Sequence, residues 1–210
     1  MPWPVIFQLR KRDVGAFVST CLVCLTTNPV AAEPAPEVDK KLDEIAIEWR
    51  KNDGGIEGVR ASFVVRAMRE ALWTVLLDYS RFSEVFRNVR QARVLKDSPS
   101  GAEVEFVVNA KIFDLHYVLD RRYLDRGRRI TWKMISGDVR TIEGGWTIDD
   151  ASIPGLLKVT YESYVEVGWY VPAIAVRYSA TGEVREMIRA LRARLAETRG
   201  DVDLLRKGNE

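Results

Sequence analysis

The sequence is poor in the residues that most often carry metal-dependent or nucleophilic chemistry. Its 210 residues include two cysteines and a single histidine, His116. One imidazole excludes a zinc site built from several histidines, and it excludes any mechanism that needs two imidazoles. The formal charge is only +2, from 32 basic and 30 acidic residues. The chain therefore has no strong basic field for non-specific binding of nucleic acid.

The N-terminal segment has the pattern of a secretory signal peptide. Basic residues occupy 10–12, a mostly apolar run covers 14–27, and small residues at 30–32 precede Glu33. The apolar run is shorter than the roughly 20 residues that a membrane-spanning helix needs. We expect cleavage after Ala32, with an uncleaved N-terminal anchor as the alternative. Cleavage removes both cysteines, which suits an oxidising compartment, so we expect a secreted, periplasmic protein.

The rest of the chain predicts one domain with flanking segments. We assign 33–44 to a linker rich in proline and charge, 45–200 to the domain, and 201–210 to a flexible tail. Apolar residues at helical spacing predict a helix over 67–79 and a shorter one over 81–86. Alternating residues predict strands over 45–50, 56–66, 92–96, 102–111, 115–123, 129–136, 141–148 and 156–167.

The last predicted element is a long helix that begins near Pro172 and ends near Gly200. Its apolar face carries Ile174, Tyr178, Ile188, Leu191 and Leu195, and its arginines are expected to face water. Short strands joined by short turns predict an antiparallel meander. A sheet of this length curves, and a long amphipathic helix can lie in the curve. The sequence therefore predicts an α+β fold with a space between the helix and the sheet.

Several stretches resemble one known superfamily. These are "VVRAMREALWTVLLDYSRFSEVFRNVRQARVL" at 64–95, "GGWTI" at 144–148 and "VTYESYVEVGWYVP" at 159–172. They are similar to the helix-grip (START/SRPBCC) superfamily, which includes START lipid-transfer domains, polyketide cyclases and aromatases, and coenzyme Q-binding proteins. The nearest resemblance is to secreted bacterial members of the polyketide cyclase and coenzyme Q-binding group. The resemblance implies a helix-grip fold, in which a curved antiparallel sheet wraps around a long C-terminal helix and two short helices follow the first family strand.

The resemblance also implies a ligand cavity between that helix and the sheet. Inward-facing residues of neighbouring strands and of the helix are expected to line it, although a filled core would give the same pattern. Gly182 would leave a gap beneath the helix, or it would mark a kink or break there. The predicted lining residues are Phe106, Val108, Tyr117, Leu119, Trp132, Met134, Trp146, Tyr161, Ser163, Ile174, Tyr178 and Gly182.

Other polar motifs are more simply structural. We expect His116 to be a structural histidine, and Asp149-Asp150 to lie in a solvated turn. The charged stretch 119–129 is expected to form ion pairs on a wet face, with an anion or lipid-headgroup site as the alternative. Gly144-Gly145 is expected to mark a bulge or a close approach between a helix and this strand rather than a phosphate loop.

The sequence thus favours a binding protein over an enzyme. It would hold an apolar small molecule, such as a lipid, quinone or sterol-like compound, and carry it across an aqueous compartment. No metal or cofactor is implied, and we expect a monomer that makes transient contact with a membrane or transporter through aromatics at 169–171. One alternative is a cyclase, dehydratase or hydrolase acting on a polyketide-like or aromatic substrate. Another is a scaffold without a ligand.

Overall fold

The computed structural model describes the backbone of residues 36–110, 114–168 and 173–207, and side chains within 38–110, 114–168 and 181–199. These residues belong to one compact unit. The elements are α1 (Pro36–Asp43), β1 (Ile45–Lys51), β2 (Glu57–Arg66), α2 (Arg69–Leu77), a 3₁₀ turn (Tyr79–Arg81), α3 (Phe82–Val85), β3 (Val89–Ser98), β4 (Gly101–Asn109), β5 (Asp114–Leu124), β6 (Arg129–Gly137), β7 (Thr141–Asp150), β8 (Leu156–Glu166) and α4 (Ala173–Lys207).

The eight strands form one curved antiparallel sheet in the order β1-β2-β8-β7-β6-β5-β4-β3. From β3 to β8 each strand pairs with the next along the chain, as the meander prediction requires. The exception is β8, which also pairs with β2 and so joins the last strand of the sheet to one of the first. The sheet does not close into a barrel, so β1 and β3 remain as edges. The predicted α+β helix-grip fold is confirmed.

One face of the sheet is buried, and we call it the inner face. Strand alternation defines it: on β2, Val59, Ala61, Phe63 and Val65 are at most 4% exposed. Residues in register on the other strands continue this face, for example through the pairs Ala61–Tyr161, Tyr161–Trp146 and Trp146–Ile130. Burial of these apolar side chains stabilises the sheet against the helices.

Helix α4 covers part of the inner face. Its buried stripe is Val184, Met187, Ile188, Leu191 and Leu195, which recur at the three- and four-residue spacing of an amphipathic helix. The helix contacts α2, α3, β1 and β2. None of the described helices is both long and apolar enough to span a membrane.

Two arginines of α4 fix it to its neighbours instead of facing water as predicted. The Nη2 group of Arg192 donates a hydrogen bond of 3.0 Å to the carbonyl oxygen of Val64 on β2. Nε of Arg194 lies 3.3 Å from the carboxylate of Glu84 on α3. Both side chains are partly buried, so the polar side of the helix also has tertiary contacts.

The boundaries of several elements differ from the predictions. Helix α1 lies in the segment predicted as a linker, and β3 is longer than predicted. Helix α4 continues past Gly200 to Lys207, where we expected a helix end and a frayed tail. The signal-peptide prediction for 1–32 and the aromatics at 169–171 lie outside the described residues.

Candidate functional site

Aromatic rings from the helices and from the inner face form one continuous cluster. Phe82 links its two parts, since it stacks on Phe86 at 4.3 Å between ring centroids and lies 5.5 Å from Phe106. On the sheet, Tyr161 lies 4.6 Å from Trp146 and 5.9 Å from Trp132. The remaining contacts are Tyr79–Phe82 at 5.6 Å, Phe106–Tyr117 at 5.6 Å and Phe86–Trp146 at 6.4 Å.

The cluster contains deeply buried side chains and, at one end, side chains that are partly exposed. Deep members such as Trp146 are 1% exposed. Tyr117, Met134, Tyr161 and Ser163 point to the same inner face, but each of them keeps partial exposure. They lie toward the end of the sheet at which β8 leads into α4. This end of the inner face is therefore the part that a small molecule can contact.

Gly144 creates room for a large ring in this wall. It pairs with Trp132 on β6 and with Ser163 on β8. A Cβ atom at position 144 would lie 2.8 Å from Cζ2 of Trp132 and would also meet the carbonyl oxygen of Glu162. The glycine therefore marks a close approach to an indole ring and a neighbouring strand, and not the bulge or helix–strand approach that we predicted.

A charged side chain lies inside the aromatic cluster. Arg121 on β5 is only 2% exposed. Its guanidinium carbon lies 4.9 Å from the ring centroid of Tyr79, 5.5 Å from Phe82 and 5.8 Å from Trp132. Each distance lies within the range of a cation–π contact. Within the described part of the chain, Nε and Nη1 of Arg121 have no hydrogen-bond partner.

Burial sets the ionisation of the polar groups around this arginine. It raises the pKa of the hydroxyls of Tyr79, Tyr117 and Tyr161, which stay protonated at neutral pH. It lowers the pKa of Arg121, and the neighbouring tyrosines act in the opposite direction. Because an arginine starts from such a high pKa, it remains a cation. The Tyr79 and Tyr123 hydroxyls are 2.8 Å apart, so the site combines one cation with neutral hydroxyls.

An open pocket of about 790 Å³ adjoins the helix side of the cluster. Its lining includes Trp73 and Leu77 of α2, Val94 and Asp97 of the edge strand β3, and Tyr79. The Tyr79 ring thus contacts the guanidinium of Arg121 and also lines this pocket.

The structure places nine of the twelve predicted lining residues on the inner face. Five of them are buried and four are partly exposed. The side chains of Ile174 and Tyr178 lie outside the described residues. The nine are Phe106, Val108, Leu119, Trp132 and Trp146, which are buried, and Tyr117, Met134, Tyr161 and Ser163, which are partly exposed.

Gly182 does not lie where the sequence analysis placed it. It is exposed, and a Cβ atom there would have no neighbour within 4 Å. At 100° per residue it lies about 200° around the helix from the buried Val184. The helix also continues through this position without a break. The predicted gap beneath the helix and the predicted helix break are both wrong, because the buried stripe through Val184, Ile188 and Leu191 leaves position 182 on the solvent side of a continuous helix.

Arg121 is the residue that the sequence analysis missed. We expected the stretch 119–129 to form ion pairs on a wet face, and this holds for Asp120 and Arg122, which are 2.8 Å apart. Strand alternation nevertheless puts Arg121 on the same side as Leu119 and Tyr123. Strand alternation thus indicated that Arg121 faces inward, but the charge of its side chain led to the prediction that it faces water.

The other polar motifs lie outside the cluster. His116 is exposed, and its backbone N–H donates a hydrogen bond of 2.7 Å to Asp138. Asp149 and Asp150 are exposed as predicted, but they are the last two residues of β7 and do not lie in the turn. Asp150 accepts hydrogen bonds from Arg69 and Arg128. These contacts account for the two motifs as surface structure.

Comparison with solved structures gives the same fold. A START superfamily protein from Mycobacterium smegmatis is 18% identical, with a TM-score of 0.59 over 67% of this chain and 98% of that one. A STAR-related lipid transfer protein from Xanthomonas axonopodis is 17% identical, with a TM-score of 0.62 over 73% and 94%. The Zhui aromatase/cyclase from Streptomyces sp. R1128 is 14% identical, with a TM-score of 0.55 over 73% and 94%.

Comparison at the level of sequence identifies the family. No curated protein matches the sequence well enough to count as a relative. The family described as "Polyketide cyclase / dehydrase and lipid transport" matches residues 65–192, which is more than half of the chain and spans β2 to α4. The matched stretch contains the aromatic cluster and Arg121. The chain therefore belongs to the polyketide cyclase/dehydrase and lipid transport family, and it has the fold of the solved START-type structures.

Proposed function

We propose that this domain binds an apolar small molecule between the inner face of the sheet and α4, and that it carries this molecule through an aqueous compartment. One observation carries the proposal: Tyr117, Met134, Tyr161 and Ser163 face inward and still keep accessible surface. A filled core would have buried them as completely as the inner face of β2. Apolar contact with these residues would drive binding at about 25 cal/mol per Å² of buried surface.

The chemistry of this wall matches a lipid, a quinone or a sterol-like molecule. Trp132, Trp146 and Tyr161 offer broad apolar ring faces, while Ser163 and the tyrosine hydroxyls offer a few hydrogen bonds for orientation. The solved structures of similar fold include STAR-related lipid transfer proteins. Lipid transfer by proteins of this fold supports an apolar ligand for this chain.

Native mass spectrometry would test the proposal. The full chain would be expressed in a bacterium with two membranes, and the purified protein would be analysed before and after organic extraction. We expect a bound apolar molecule at about one per chain. In a Ser163→Phe variant a phenyl ring fills the partly open end, so the bound mass should disappear while the fold persists. Ser136→Phe, at an exposed position of β6, is the matched control and should keep the ligand.

A different result would count against carriage. If the wild-type protein carries no extractable molecule and binds none from a panel of fatty acids, phospholipids, quinones and sterols, the binding proposal fails. If Ser163→Phe and Ser136→Phe retain equal amounts of ligand, the proposed location is wrong.

Secretion is part of the proposal and rests on the N-terminal pattern. A basic stretch, an apolar run and small residues before Glu33 are typical of a cleaved signal. Fractionation of cells that express the full chain should find it in the periplasm, with a mass that begins at Glu33. A protein that stays in the cytoplasm at full mass would contradict this proposal without affecting the ligand site.

The enzyme alternative is favoured by a specific observation, the buried cation among tyrosine hydroxyls. A guanidinium in a dry site can stabilise negative charge that develops on an oxygen atom during a reaction. The extracted ligand would separate the two functions. A molecule recovered unchanged after long incubation with the protein supports carriage, and conversion of the bound molecule supports an enzyme.

A further inference from the structure

Arg121 is a buried cation without a negatively charged partner among the described residues. Its side chain is 2% exposed, and Nε and Nη1 have no hydrogen-bond partner within the described residues. The ionisable groups that act on it are Tyr79, Tyr123 and Tyr161. All three are neutral at physiological pH, so they offer oxygen atoms and ring faces but no negative charge.

Among the described residues, no carboxylate lies within ion-pair distance of the Arg121 guanidinium; the carboxylates of Asp97 and Glu183 act on its neighbours Tyr79 and Tyr161 instead. The nearest acidic residue along β5, Asp120, points to the opposite face and pairs with Arg122. A buried charge without a partner is costly, and cation–π contacts recover only part of the cost. An arginine that served packing alone would be better replaced by an apolar residue.

The position of Arg121 also connects it to the ligand wall. It pairs across the sheet with Trp132, and Trp132 pairs with Gly144, which in turn pairs with Ser163. The cation and the partly exposed Ser163 therefore lie in one row across the inner face. A molecule that enters at the open end and lies along this row would reach the guanidinium with its far end.

We propose that Arg121 binds the carboxylate of an amphiphilic ligand whose apolar part lies along the aromatic wall. This inference rests on the proposed binding function and deepens it, because it names the ligand as an apolar acid. Two unfilled N–H groups and one positive charge are what a carboxylate requires. The guanidinium carbon lies 5.8 Å from the ring centroid of Trp132, one of the rings of the aromatic wall, so an acid bound there would also contact that wall.

The enclosure of Arg121 favours a carboxylate over a phosphodiester. Aromatic ring centroids lie 4.9, 5.5 and 5.8 Å from the guanidinium carbon. A planar carboxylate at the end of one chain can approach between these rings. A phosphodiester has a tetrahedral centre with two substituents, so it needs more room beside the guanidinium than a planar carboxylate does. A neutral sterol or quinone would leave the charge of Arg121 unpaired.

The test compares two probes of equal length, palmitic acid and hexadecanol. Equilibrium binding would be measured with the wild-type protein, with Arg121→Met and with Arg122→Met, in which the neighbouring exposed arginine is replaced. We expect the wild type to prefer the acid by about tenfold or more, as a hydrogen bond to a charged group implies. Arg121→Met should lose this preference and keep its affinity for the alcohol, while Arg122→Met should behave like the wild type.

The outcomes separate the two proposals. If the wild-type protein binds acid and alcohol equally, or if Arg121→Met keeps the preference, the inference about Arg121 is overturned while the binding function stands. If neither probe binds although the wild-type protein holds another apolar molecule, the assignment of the ligand as an apolar acid is overturned; if the protein also binds nothing from the panel named above, the binding function fails with it. A preference for hexadecyl phosphate over palmitic acid would show that the anion is a phosphate, and it would overturn the assignment to a carboxylate.

A second measurement does not depend on the variant. Palmitic acid labelled with ¹³C at the carboxyl group would be bound to the wild-type protein and titrated by NMR. Contact with Arg121 should lower the pKa of the bound carboxyl below that of the free, monomeric acid, because the adjacent cation outweighs the burial of the carboxyl and the charges of Asp97 and Glu183, which act on the neighbouring Tyr79 and Tyr161. A bound carboxyl that titrates at or above its free value would contradict the proposal, even if Arg121→Met failed to fold.

Discussion

Gly144 and Gly182 show how differently two glycines of one domain respond to an added methyl group. At position 144 a Cβ atom would meet the carbonyl oxygen of Glu162 and, at 2.8 Å, the Trp132 indole. At position 182 it would meet nothing within 4 Å. The first glycine is required by packing, and the second has no such requirement.

We therefore predict that Gly144→Ala destabilises the domain. The methyl group forces either the β8 backbone or the Trp132 ring to move, and overpacking of this kind costs about 1–3 kcal/mol. Urea unfolding would measure the change in the free energy of unfolding. Because Trp132 moves, the fluorescence spectrum of the folded state should also change. A variant that keeps both wild-type stability and the wild-type spectrum would contradict the close approach.

The opposite result is expected for Gly182→Ala. Alanine is favoured over glycine within a helix by up to about 1 kcal/mol, and this position is exposed. The variant should melt at a higher temperature and bind the ligand like the wild type. A loss of binding in this variant would contradict its place on the solvent side and restore the gap beneath the helix.

The hydroxyl groups of three tyrosines are shielded from solvent, and this gives a prediction for alkaline pH. Burial raises the pKa of Tyr79, Tyr117 and Tyr161 in the folded state, whereas the unfolded chain ionises near pH 10. Above pH 10 the unfolded state therefore binds fewer protons than the folded state, and stability decreases as the pH rises toward the folded values. Below pH 10 these groups contribute their full stabilisation. Absorbance at 295 nm should show that these tyrosines ionise only as the protein unfolds.

A single replacement provides the control for this titration. In Tyr79→Phe one late-ionising group is removed, so the decrease in stability above pH 10 should become shallower, by up to about 1.4 kcal/mol per pH unit. If all of the tyrosines of the folded wild type ionise near pH 10, the burial of these hydroxyls is disproved.

At the scale of the element, α4 depends on its apolar stripe. Leu191 is 0% exposed and lies at the centre of the stripe. Leu191→Ala should lower the free energy of unfolding by about 2–5 kcal/mol, as large-to-small replacements in a core do. Arg189→Ala on the exposed side of the same helix should change it by less than about 0.5 kcal/mol. Equal effects of the two replacements would show that the helix is not oriented as described.

Helices and strands with one solvent-exposed face and one buried face are predictable from the sequence alone. All eight strands were placed because their alternation reflects burial on the inner face. The edge strand β3 was predicted too short, because nine of its ten residues are at least partly exposed and two register shifts interrupt its pairing with β4. Helix α1 was missed because its proline and charged residues are typical of a linker. The C-terminal end of α4 was predicted wrongly at Gly200. The sequence around a glycine inside an exposed helix does not differ from the sequence around a glycine that ends a helix.

At the scale of the molecule, the predictable part of the site is its apolar wall. Phe106, Trp132 and Trp146 followed from alternation together with the family resemblance. The buried position of Arg121 could not be predicted in the same way, because a charged residue in a strand usually faces water. Only the three-dimensional cluster of Tyr79, Phe82 and Trp132 shows that Arg121 is enclosed.

The pairing of β2 with β8 also determines when this molecule can fold. Ala61 reaches its partner Tyr161 only after all of the other strands have been synthesised, and pairing so distant in sequence slows folding. Until then, the apolar inner face of β2 lacks its neighbour on that side. Because β8 is both the last strand synthesised and the partner of β2, the sheet cannot be completed from its N-terminal strands alone.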